Sequence, residues 1–89
     1  MANIVKEGML CMPIAYVLIN TEPDKMEEVA KKIKKIKGVA EASMVYGVYD
    51  IVAKIQAETM DRLKEIVASQ IRRMESVRSS TTMIVMEGP

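Results

Sequence analysis

Val45-Tyr46-Gly47-Val48-Tyr49-Asp50-Ile51 decides how this chain folds, because it sets a glycine and a lone carboxylate between two strand-like runs. Ahead of it, Val39 to Tyr46 mixes apolar and small residues. Behind it, Ile51, Ala53, Ile55 and Ala57 alternate with Val52, Lys54 and Gln56. A period of two is the mark of a strand, and a glycine between two such runs supplies the φ freedom of a hairpin turn. We therefore expect two antiparallel strands joined at Gly47-Val48, with Asp50 starting the second.

Each strand has a helix on its outer side. Upstream, Met26, Val29, Ala30, Ile33 and Ile36 repeat at helical spacing, with Asp24 placed as an N-cap and Glu27 three residues on. Gly38 suits the residue just past that helix, and Lys34, Lys35 and Lys37 suit the negative end of its dipole. Downstream, Thr59 caps a second helix whose apolar face is Met60, Leu63, Ile66, Val67, Ile71 and Met74. Ile14 to Ile19, bounded by Pro13 and the polar group Asn20 to Asp24, reads as the opening strand, and Val77 to Met86 as the closing one.

The order is βαβ twice, and the halves match at an offset of 38 residues: Val29, Ile33, Ile36 and Val39 fall on Val67, Ile71, Met74 and Val77. Two split βαβ units predict an α+β, ferredoxin-like domain, a four-stranded antiparallel sheet with both helices on one face, of the dimeric α/β-barrel type. It should span residues 14–87, behind a leader of residues 1–13. The first strand carries Ala15, Val17 and Ile19 on one side but Tyr16 and Leu18 on the other. Apolar residues on the uncovered side predict that a second copy covers it, in a homodimer at least.

Composition excludes several functions. The chain has 89 residues, no histidine and one cysteine, Cys11, so His-dependent catalysis, a disulfide within the chain and a multi-cysteine metal site are all out. No phosphate-binding glycine loop or nucleophile elbow occurs. Thirteen basic and twelve acidic residues leave a net charge of +1, not the field of a nucleic-acid binder. Nine methionines and no Phe or Trp fill the apolar positions. The apolar run from Gly8 to Ile19 is broken by Pro13, has no small-residue cleavage site after it and is too short to span a bilayer, so a cytoplasmic protein without membrane contact is expected.

Four groups of residues have a functional and a plain reading. Asp50 either anchors a cationic group, with turn amides holding an anion beside it, or bonds its own backbone. Tyr46 and Tyr49 either wall a pocket or pack at a subunit contact. Thr81, Thr82 and Met83 either offer hydroxyls to a ligand or belong to an exposed strand segment with Ser79 and Ser80. Lys31, Lys32, Lys34, Lys35 and Lys37 read as a solvated helix face rather than a phosphate site, and Cys11 as a small apolar side chain.

From Ile14 to Glu87 the sequence resembles the effector-binding (RAM) domain of Lrp/AsnC transcription regulators. The resemblance rests on Ala15-Tyr16-Val17-Leu18-Ile19, Thr21-Glu22-Pro23-Asp24-Lys25, Ile36-Lys37-Gly38-Val39, Thr82-Met83-Ile84-Val85-Met86-Glu87 and, most specifically, Gly47-Val48-Tyr49-Asp50. It implies a non-enzymatic, cofactor-free module that dimerises through its sheets, assembles further, up to octameric rings, and binds an amino acid or similar metabolite between dimers. It implicates Gly47, Val48, Tyr49, Asp50, Thr82, Met83 and Ile84, with Asp50 accepting from the ligand's ammonium group and the turn amides meeting its carboxylate. Thirteen residues ahead of the first strand cannot hold the family's helix-turn-helix domain. A stand-alone form is therefore expected, without direct DNA contact, acting through a full-length Lrp/AsnC regulator or another partner. Kept beside it are a ligand-free oligomerisation adaptor, an ACT-like regulatory subunit and, last, a small enzyme on a ferredoxin-like dimer.

Overall fold

The structure is a computed structural model that describes residues 13–85. Strand β1 runs Ile14–Thr21, a 3-10 turn Pro23–Lys25 leads into helix α1 at Met26–Lys34, and strands β2 and β3 occupy Val39–Met44 and Ile51–Gln56. Helix α2 spans Met60–Ile66 and widens into a π segment at Val67–Ile71 before strand β4 at Val77–Ile84. The sheet has the order β2-β3-β1-β4 with every neighbouring pair antiparallel, so the ferredoxin-like architecture expected from the doubled βαβ pattern is the one observed. The expected leader apart from Pro13, with Cys11, and the expected ends of strand and domain at Met86 and Glu87 lie outside the described residues.

The core lies between the sheet and the two helices. Ala15, Val17 and Ile19 of β1 and Ile51, Ala53 and Ile55 of β3 are all fully buried, and Ala42 of β2 nearly so. They pack with Val29, Ala30 and Ile33 of α1 and with Leu63, Ile66, Val67 and Ile71. Alternation then fixes the other face. Tyr16 and Leu18 stand beside Lys54 and Val52 of β3 and Met83 and Thr81 of β4. Here Tyr16 is 36% exposed and Met83 48%, against 0% for the β1 and β3 residues on the helix side.

Several local expectations are corrected. Asp24 does not cap the first helix: Pro23 starts a 3-10 turn closed by Lys25 N donating to Glu22 O at 2.9 Å, and the cap position falls on Lys25, whose side chain accepts nothing. Strand β2 ends at Met44 rather than Tyr46: Val45 N still donates to Asp50 O at 2.9 Å, in line with the β2–β3 ladder, and the chain beyond it turns through Gly47 in a connection over residues 45–50. Met60 is exposed, so burial along α2 begins at Leu63. By contrast, Thr59 caps α2 as expected, its hydroxyl accepting from Arg62 N at 3.1 Å. The five lysines of the first helix and its end are all exposed, and Lys32 pairs with Glu28 at 3.3 Å, as a solvated face requires.

Candidate functional site

The connection between β2 and β3 is held at both ends and open in the middle. Val45 N donates to Asp50 O, and Asp50 N donates to Ile19 O at 2.9 Å, which pins the start of β3 to the end of β1. Gly47 has φ +136°, a conformation left to glycine, and the Tyr46 and Val48 side chains beside it are exposed. Asp50 is half-buried, and its Oδ2 accepts from Thr21 N at 2.9 Å. The carboxylate thus bonds backbone, as its plain reading had it, but that of a neighbouring strand end and not its own turn. A carboxylate has further lone pairs, so this bond fixes the group without exhausting it.

Beside Asp50 lies a hollow of about 410 Å³ lined by Asn20, Thr21, Pro23, Arg78 and Ser79 as well as Asp50 itself. Three elements meet there: the end of β1, the start of β3 and the start of β4. Asn20 Nδ2 donates to Ser79 Oγ at 3.3 Å across the wall. The pairing of β1 with β4 slips at this point, since Asn20 faces Ser79 while Thr21 faces Val77, leaving Arg78 as the extra residue of a bulge.

Tyr49 leaves the same turn in another direction. Its hydroxyl lies 3.3 Å from Thr81 Oγ1, where either oxygen can donate. Thr81 stands opposite Leu18, so Tyr49 links the turn to the last strand on the sheet face that carries no helix. The residues singled out from sequence therefore divide. Asp50 lines the hollow and Tyr49 reaches β4, while Gly47 and Val48 lie at the exposed tip of the turn. Met83 stands beside Tyr16 on the open face. Thr82 and Ile84 stand opposite Val17 and Ala15, on the helix side, with Ile84 packed against the core. Arg78 was missed: a bulge in one strand is visible only once its partner strand is known.

The sequence model of the Lrp/AsnC ligand binding domain matches residues 14–89. The chain belongs to the Lrp/AsnC family. An uncharacterized HTH-type transcriptional regulator of Pyrococcus furiosus is 37% identical over 73 residues, which cover 79% of this chain and 49% of that protein. The chain thus spans about half the length of the curated relatives it matches. A hypothetical protein from Pyrococcus horikoshii has a crystal structure that superposes with TM-score 0.80 at 33% identity, covering 84% of this chain and 90% of that one. A transcriptional regulator from Neisseria meningitidis, solved as an L-Met complex, shares the fold with TM-score 0.77 at 16% identity, covering 90% of this chain and 53% of that one. The ferredoxin-like domain is thus the ligand-binding half of a regulator family. Among the described residues no helix is long and apolar enough to cross a membrane, and no group of three or more acidic, His or Cys side chains is arranged to hold a metal ion.

Proposed function

We propose that this protein is a non-enzymatic effector module: it binds an amino acid or a similar small metabolite beside Asp50 and couples that binding to its assembly. The observation that carries the reading is the position of Asp50, a half-buried carboxylate fixed by Thr21 N on the wall of a hollow of about 410 Å³ where three strand ends meet. A carboxylate held in this way is suited to accept from an ammonium group. Family membership supports the same reading, as does the L-Met complex of the Neisseria regulator that shares this fold. Copies pack through the open face carrying Tyr16, Leu18 and Met83, giving a homodimer that assembles further, as far as an octamer, in the cytoplasm. A ligand that binds one assembly state more tightly shifts the population toward it. The regulatory effect then passes through a full-length Lrp/AsnC regulator or another partner.

The test is thermal unfolding against the standard L-amino acids, with light scattering for mass at the same concentrations. A binding amino acid at about a hundred times its Kd adds about 2.7 kcal/mol to stability, a rise in midpoint of roughly 10–20 °C for a domain of this size. Asp50→Asn keeps an oxygen for Thr21 N but removes the charge, so it should abolish the rise while leaving the unliganded midpoint and the mass nearly unchanged. A midpoint that no amino acid moves, or a lone protomer at micromolar concentration, would refute the proposal.

A further inference from the structure

Among the described residues, Arg78 is the one cation on the wall of the Asp50 hollow, and the fold takes an irregular path to put it there. Asn20 pairs with Ser79 and Thr21 with Val77, so Arg78 is the residue for which the ladder has no partner. A bulge of this kind turns a side chain out of the direction that strict alternation would give it. Three ion pairs form among the described residues, Lys25–Glu28, Lys32–Glu28 and Arg62–Glu65, and neither Asp50 nor Arg78 belongs to one. Two opposite charges therefore line one hollow without forming an ion pair with each other. The other candidate for an anion is the turn itself, but Val45 N and Asp50 N already donate to backbone oxygens, and Gly47 and Val48 are absent from the hollow's wall.

Resting on the effector-binding reading above, we infer that Arg78 holds the ligand's α-carboxylate while Asp50 takes its α-ammonium group. The pair makes the site selective for zwitterions. A guanidinium meets a carboxylate with two parallel N–H donors, which gives geometry as well as charge. Amines lacking the carboxylate, and acids lacking the amine, each leave one charge in the hollow without its partner. Arg78 is exposed, so replacing it spares the core.

The experiment is calorimetric titration of the full chain with whichever standard L-amino acid shifts the unfolding midpoint, beside the amine that remains when its carboxylate is removed. The unaltered protein should bind the amino acid roughly tenfold to a hundredfold more tightly than the amine. Arg78→Gln should bring the amino acid down to the affinity of the amine and leave the amine unchanged. Arg78→Lys should restore part of the difference. If Arg78→Gln, folded by circular dichroism, still prefers the amino acid by the original factor, the assignment of Arg78 is overturned while effector binding stands. If the unaltered protein binds no amino acid, the effector reading falls and this assignment with it.

Discussion

Gly38 and Gly47 both hold positive φ, 104° and 136°, and each stands at a turn leading into or out of β2, yet their surroundings are opposite. A Cβ on Gly38 would sit 2.7 Å from Ile66 Cδ1 and 3.3 Å from Gln56 O, and the Gly38 carbonyl accepts from Gln56 N at 2.8 Å. A Cβ on Gly47 would meet nothing within 4 Å. The first glycine is needed by backbone and packing together, since α2 closes down on it. The second is needed by backbone alone. The fold is locked at one turn and left open at the other, and the open turn is the one that carries Tyr49 and Asp50.

Gly38→Ala is the larger of the two expected losses. It adds the cost of a left-handed backbone, about 1–2 kcal/mol, to an overpacking cost of about 1–3 kcal/mol against Ile66. A total near 3 kcal/mol lowers the melting midpoint by roughly 10–20 °C for a domain of this size, read by circular dichroism at fixed protein concentration. Gly47→Ala carries only the backbone part, about 1–2 kcal/mol, some of it relieved because the turn is exposed. Its midpoint should fall by about 5 °C, while the ligand-dependent rise proposed above shrinks as the turn is displaced. Equal losses at the two glycines would erase the distinction between a locked and an open turn.

Much of this was legible in the sequence because it depends on periods and caps. The alternation over Ile51 to Ala57, the helical spacing of Val29, Ala30 and Ile33 and Thr59 as a cap each follow from chemistry local to the chain, whereas the first helix stops at Lys34 with its cap at Lys35, short of Gly38. The misreadings came where one segment's fate depends on another. Tyr46 looks like a strand residue, but it lies past the Val45–Asp50 bond with no partner strand beside it, exposed in the connection that turns at Gly47. Asp24 has the side chain for a cap, but Pro23 beside it turns the chain into a 3-10 entry. At the candidate site, Asp50 stood out because it is a lone charge beside a glycine. Arg78 did not, since nothing in the order Val77-Arg78-Ser79 marks which residue the β1–β4 pairing will leave over.

The smallest effect is the one that best measures how loosely the open turn is held. Tyr49 Oη and Thr81 Oγ1, 3.3 Å apart and exposed, form a side-chain tie between the 45–50 connection and the last strand. An exposed bond of that length between neutral groups is worth about 0.5 kcal/mol or less, since water replaces either partner. Tyr49→Phe keeps the ring and removes the tie. Its midpoint should therefore move by no more than about 2–4 °C. Local opening of the turn should become about twofold more frequent, which amide hydrogen exchange at residues 45–50 would register while the β1 and β3 amides stay unchanged. A change confined to those residues would mean that the tie restrains the turn alone. Faster exchange across β1 as well would mean that the Gly47 turn is part of the locked framework, and the contrast with Gly38 would no longer hold.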